Sequence, residues 1–360
     1  MPGLGQVTAA SGWCSSAITT NRSACRRPSA AHTCDDRGMA IPTAFTEILS
    51  VRHPIVSAPM GGEAGGALAA AVSEGGGLGL VGGGRGDREW VERELRLVRA
   101  NTTAPWGVGF LSWAIDRTVL DHALSFDPAA VLLSFGDPLH LAATVRDAGA
   151  VLIVQVTDAD EARRALDAGA DVLVAQGSDA GGHCAAQGIG TLSFVPTVVD
   201  LAGAVPVLAA GGIADGRAIA AALALGAAGA MVGTRFQATH EALVPAELGK
   251  ALVDATGGDT EVNWTLDIAR GAPWPEKYPA RTLRNTFIDR WRGRDDELRT
   301  DEAALREYRD AAARNDLTAV PVWAGQAVDR ITSIVSATEL VGVLAEETDA
   351  ALRRITLRDR

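Results

Sequence analysis

The sequence predicts an α/β protein: a (β/α)8 barrel of the TIM type with a small helical subdomain near its C-terminal end. Three observations lead there. Eight short apolar runs recur at a roughly 20–30-residue spacing, and most are followed by an alanine-rich stretch of helical period. Glycines cluster just after several of these runs instead of once near the start. The rival, a doubly wound open sheet, would want an early G-x-G-x-x-G turn.

The runs fall at 54–58, 79–82, 107–111, 130–134, 151–156, 171–175, 206–210 and 230–233. Short unbroken stretches of Val, Leu, Ile and Ala read as strands buried on both faces, as parallel sheets require. Helical patterns occupy 66–74, 89–100, 139–148, 158–168 and 216–225. Two helices end in Ala-Gly-Ala, where Gly149 and Gly169 suit the left-handed position that closes a helix. Beyond Thr234 the chain becomes more charged and bulkier. Residues 241–317, with Trp264, Trp274, Tyr278 and Trp291 interrupted by Pro273, Pro275 and Pro279, read as a helical cap over the barrel mouth. The aromatic residues are expected as the core of that cap, with a substrate cage as the alternative. The segment around Arg281 and Asn285 reads as an exposed charged helix face or as an anion contact.

The domain plan is therefore an extension over 1–38, a barrel over 39–240, the cap over 241–317, and a return segment over 318–360 that packs on the barrel. The first 38 residues are rich in Ser, Ala, Thr and Arg and lack a secretory apolar core. They are expected to be disordered or to precede a start at Met39, with a transit peptide as the alternative.

A formal charge of −11 argues against nucleic acid as a partner. No apolar run approaches the ~18 residues of a membrane span, so a soluble, cytoplasmic protein with no membrane partner is expected. Cys14, Cys25 and Cys34 lie in the extension, leaving Cys184 alone in the folded part. That pattern supports neither a disulfide framework nor a metal centre, and Cys184 reads as packing.

Chemistry concentrates at three strand ends. Val174-Ala-Gln-Gly-Ser-Asp-Ala-Gly-Gly-His183 breaks from an apolar run into glycines and ends on a histidine. Val207-Leu-Ala-Ala-Gly-Gly-Ile213 and Gly229-Ala-Met-Val-Gly-Thr234 follow. Successive glycine-rich strand ends let backbone amides approach a phosphate, and the loops after the last two strands of such barrels often do so. His183 would face the same mouth, whereas His53, His122, His140 and His240 lack such a setting and read as structural. Asp179 is expected to tie down its loop.

On Ser57-Ala-Pro-Met-Gly-Gly62, Gln176-Gly-Ser-Asp-Ala-Gly-Gly-His183, Ala210-Gly-Gly-Ile213 and Gly233-Thr-Arg-Phe236, the chain resembles the nitronate monooxygenase family from about Ile41 to Val343. The resemblance implies an FMN-dependent barrel enzyme. It implies that Ala58, Pro59 and Met60 lie against the flavin ring and that Gln176 bonds its edge. Gly181 and Gly182 would border the cofactor, and Gly211, Gly212, Gly233 and Thr234 would hold the FMN phosphate. His183 would be the catalytic base or the group that binds the nitronate, since an imidazole titrates near neutrality. One departure stands out: several family members carry a lysine where this chain has Gln155, which can donate to the flavin but adds no positive charge.

The activity expected is oxidation of nitronates or nitroalkanes by O2 to carbonyl compounds and nitrite. The partners expected are a small-molecule substrate and O2, with a homodimer as the candidate assembly. A flavin-dependent NAD(P)H:quinone or enoyl-thioester reductase is the first alternative. A flavin-free isomerase or lyase gripping a sugar phosphate is the second.

Overall fold

The computed structural model describes residues 40–356, so the expectations for the first 38 residues lie outside the described part. Eleven strands can be numbered in chain order among those residues. They are β1 Ile55–Ser57, β2 Gly79–Gly84, β3 Trp106–Leu111, β4 Ala130–Ser134, β5 Val151–Val156, β6 Val172–Gln176, β7 Gly182–His183, β8 Val207–Ala210, β9 Gly229–Val232, β10 Thr260–Asn263 and β11 Ala280–Leu283. Eight of them form one parallel sheet in the order β1-β9-β8-β6-β5-β4-β3-β2. A parallel bridge between Val56 and Leu78 joins its two ends, so the sheet closes into a barrel. This is the (β/α)8 barrel that the sequence predicts.

The alternation of side chains explains the continuous apolar runs. Ile153 packs inside the barrel with Val56, Leu80, Leu132, Val174 and Leu208, while its neighbours Leu152 and Val154 pack outward under the helices. Both faces are dry, so no polar alternation remains to be read. A short helix, Ala44–Leu49, adds Phe45 and Leu49 to the interior cluster. Aspartates at 87, 116, 158 and 215 cap the helices after β2, β3, β5 and β8 through their side chains. Gly149 and Gly169 have φ of 79° and 80°, the left-handed turn expected of them.

The helix of the eighth βα unit arrives late. After β9 comes only the one-turn helix Thr234–Gln237, and the long helix Ala337–Thr356 then packs between the helices Gly66–Glu74 and Gly216–Ala224. The segment 241–317 is thus an excursion within the last βα unit. It has its own small core of Leu266, Phe287, Ile288, Trp291, Leu298 and Tyr308. Helices dominate it, but it also holds β10 and β11, which pair antiparallel with each other, and β11 pairs antiparallel with β7 to complete a three-stranded sheet. The reading of Arg281 to Asn285 as a helix face is therefore corrected. Arg281 lies in β11 and donates to the Ser178 carbonyl at 3.0 Å, and Asn285 caps the helix Thr286–Trp291. No described helix is long and apolar enough to cross a membrane.

Candidate active site

The C-terminal ends of the barrel strands open into a cavity of about 480 Å3. Ala58, Pro59, Met60, Gln155, Gln176, Gly181, Gly182, His183, Gly233 and Thr234 line it. A narrower cleft of about 80 Å3 shares Ala58, Gln155, Gln176, Gly181, Gly233 and Thr234 with the cavity and adds Gly211 and Gly212. All the residues expected at the site are brought together there. The Ala58–Met60 turn sits low because its neighbours are glycines: a Cβ on Gly109 would overlap the Pro59 ring, and one on Gly82 would overlap the Met60 carbonyl.

His183 owes its position to the cap. It pairs with Ala280 across the β7–β11 ladder, and Cys184 N–H donates to the Pro279 carbonyl at 3.0 Å. From β6, Gln176 Nε2 donates to the His183 carbonyl at 3.1 Å. The imidazole stacks on Trp274, with ring centroids 3.4 Å apart and planes within 12°. Its Nε2 lies 2.9 Å from Asp267 Oδ2. The carboxylate accepts in this pair, so Nε2 carries the hydrogen and Nδ1 keeps its lone pair. Asp267 is only 4 % exposed, and its other oxygen accepts from Arg270 Nε at 3.0 Å and Nη2 at 2.7 Å. Arg270 in turn lies over Trp323, 4.9 Å from the ring centroid.

Two effects compete on the His183 imidazole. Burial lowers its pKa and is the larger, while the hydrogen bond and charge of Asp267 raise it. The net shift is downward, which leaves His183 neutral near pH 7.

The floor and side of the cavity carry unmatched polar atoms. Gln155 Nε2 and Gln176 Oε1 are buried without a hydrogen-bond partner among the described residues. A donor and an acceptor left so would each cost about 1–3 kcal/mol, and the ring edge of a flavin supplies partners for both. The adjoining cleft suits a phosphate. Gly211 and Gly212 take φ of 101° and 67°, and a Cβ on Gly211 would lie 2.8 Å from the Gly177 carbonyl. Gly325 from the return segment completes the cleft and donates its N–H to Thr234 Oγ1 at 3.1 Å. The residues present therefore fit FMN. Among the described residues no group of three or more His, Cys, Asp or Glu is placed to hold a metal ion.

Asp179 behaves as its loop position suggested, accepting from Thr191 N–H at 2.7 Å. Of the aromatic residues read as cap core or substrate cage, Trp274 takes the second place: it lines the cavity as the platform for His183. Tyr278 instead braces the cap, donating to Glu161 Oε1 at 2.6 Å. Sequence reasoning missed Asp267, Arg270, Trp323, Glu63 and Gln237. Asp267 lies 84 residues from His183 on a five-residue helix, so no local spacing announces the pair.

Known proteins resemble this chain in sequence and fold. A family model described as nitronate monooxygenase matches residues 42–116 and 114–347. The chain is 33 % identical to a nitronate monooxygenase of Neurospora crassa over 84 % of this chain and 90 % of that protein. It is 32 % identical to a (3aS,4S,5R,7aS)-5-hydroxy-7a-methyl-1-oxo-octahydro-1H-indene-4-carboxyl-CoA dehydrogenase of Mycobacterium tuberculosis, over 70 % of this chain and 69 % of that one. A solved nitroalkane oxidase of Streptomyces ansochromogenes superposes with a TM-score of 0.71 at 30 % identity, covering 87 % of this chain and all of that one. The barrel, the glycine-lined strand ends and these similarities agree: this oxidoreductase chain belongs to the nitronate monooxygenase family.

Proposed function

We propose that the protein is an FMN-dependent enzyme that oxidises nitronates, and nitroalkanes by way of their nitronates, to carbonyl compounds and nitrite with O2 as oxidant. The observation that carries this reading is a largely buried imidazole stacked on Trp274 in a cavity that also holds two unmatched glutamine atoms, beside a glycine-lined cleft of phosphate size. Gln155 and Gln176 would meet the flavin ring edge, Ala58 to Met60 its face, and Gly211, Gly212, Gly233 and Thr234 its phosphate. FMN held there would accept electrons from the nitronate and pass them to O2.

The chain's own work is proton handling and positioning. With Nε2 committed to Asp267, Nδ1 of His183 takes the proton from the carbon next to the nitro group. The Asp267 carboxylate then stabilises the imidazolium that forms. For a preformed nitronate this step is absent, and the same imidazole only orients the anion. The wall of Phe135, Trp274 and Trp323 keeps water from the reacting carbon.

The test begins with the visible spectrum of the purified protein, followed by anaerobic addition of propyl-2-nitronate. A yellow protein that bleaches supports the reading, whereas a protein without flavin bands even after FMN addition overturns it. His183→Asn should keep the flavin and lose most turnover of neutral nitroalkanes while retaining that of preformed nitronates. Equal turnover of neutral nitroalkane by variant and parent would remove His183 as the base.

The likeness to the Mycobacterium tuberculosis dehydrogenase supports a second reading, a flavin-dependent oxidoreductase acting on a thioester or drawing on NAD(P)H. A flavin untouched by nitronate but bleached by NADH or NADPH would favour it.

A further inference from the structure

The cavity has a polar corner that the proton chemistry at His183 does not use. Glu63 follows β1 and Gln237 follows β9, two strands paired side by side in the barrel, and both side chains line the cavity. Arg270 faces them from the cap; it spends Nε and Nη2 on Asp267, and its charge reaches Glu63. Glu63 Oε2 is sealed from solvent without a hydrogen-bond partner, and among the described residues neither the Glu63 carboxyl nor the Gln237 amide makes a side-chain hydrogen bond. A buried carboxyl left in that state is costly unless a ligand completes it.

The chemistry of the corner narrows the ligand. Burial pushes the Glu63 pKa up to about 8 against the opposing charge of Arg270, so near neutrality the carboxyl is mostly protonated. Arg270 is already matched by Asp267 at 2.7 Å, so the corner carries no spare positive charge with which to bury an anion. An alkyl group would leave the acid and the amide unsatisfied. A hydroxyl donates one hydrogen and accepts others, which suits a carboxyl and an amide together.

We propose that Glu63 and Gln237 form a hydroxyl-recognition subsite, so that the enzyme prefers nitro compounds carrying an alcohol away from the nitro group. This rests on the nitronate-oxidising reading of the same cavity, and binding tests it separately from turnover. Calorimetry on the flavin-loaded full chain, kept anaerobic, would compare 3-nitropropan-1-ol, 1-nitrobutane and 3-nitropropanoate. The alcohol is expected to bind about tenfold or more tightly than the alkane, with the carboxylate weaker than the alcohol. Glu63→Leu should bring alcohol and alkane within about twofold of each other. Glu63→Gln, which keeps a donor and an acceptor, should retain the preference, and Gln237→Leu offers a second route to its loss should Glu63→Leu not fold.

Equal affinities for alcohol and alkane, no binding of the alcohol, tighter binding of the carboxylate, or an undiminished preference in Glu63→Leu would each overturn the subsite. So would a changed flavin content or spectrum in probe-free Glu63→Leu, since Glu63 would then contact the cofactor. A protein that binds the alcohol selectively yet leaves its flavin oxidised with nitronate would fail the oxidation reading alone.

Discussion

With Asp267 accepting from Nε2, His183 is held in one tautomer and one plane, and the proton can go only to Nδ1. The carboxylate is anchored by Arg270, so it stays in place while the ring changes charge. Asp267→Asn keeps the size and removes the charge. Turnover of neutral nitroalkanes should fall by about 10²–10⁴-fold, with a smaller loss on preformed nitronates. The pH profile carries the sign. Proton abstraction needs neutral His183, so turnover of neutral nitroalkanes should hold down to a pH below the usual imidazole value of ~6.5, because burial dominates its shift. Asp267 opposes that shift, so its replacement should move the acid limb to still lower pH. An acid limb that stays put in Asp267→Asn would mean that the carboxylate does not act through His183.

Strand ends would hold the proposed cofactor, and glycine geometry is their means. Gly212 sits at φ 67°, with its Cα hydrogen facing Asp179. Gly212→Asp would strain the backbone and add a carboxylate beside both Asp179 and the expected phosphate. The variant should purify without flavin, whereas Gly212→Ala, which brings strain without charge, should keep part of it. Full flavin content in Gly212→Asp would move the phosphate elsewhere. These elements were legible because they are local. Val172 to Ala175 and Val207 to Ala210 are dry on both faces and glycines follow at or near their ends, so a run and its end mark strand and site together. The strands of the cap were not legible. β7 has two residues, while β10 (Thr-Glu-Val-Asn) and β11 (Ala-Arg-Thr-Leu) are short and polar, and the β7–β11 pairing spans about a hundred residues of chain. His183 was visible from its glycines, but its partner was not, since the Asp267–Arg270 spacing looks like any surface helix pair.

Across the whole molecule, the late eighth helix ties cofactor site and stability together. Ala337–Thr356 buries Leu340, Val341 and Leu344 between the first and seventh barrel helices. Gly216 admits it closely, since a Cβ there would overlap the Thr348 backbone, and Glu347 Oε2 accepts the Gly216 N–H at 2.9 Å. That amide opens the helix directly after the Gly211–Gly212 turn, and Gly325, earlier in the return segment, lines the cleft itself. Leu344 is 1 % exposed, so Leu344→Ala removes buried contacts and leaves a cavity. Urea unfolding should show a loss of about 2–5 kcal/mol. Because a ligand that binds only the folded chain stabilises it by mass action, FMN at about a hundredfold over the parent's Kd should return roughly 2.7 kcal/mol to the parent. A weaker cleft in the variant would show as a smaller gain at the same FMN concentration, which is the outcome expected if the helix supports the Gly211–Gly212 turn. Equal gains would make the helix a brace for the barrel wall alone.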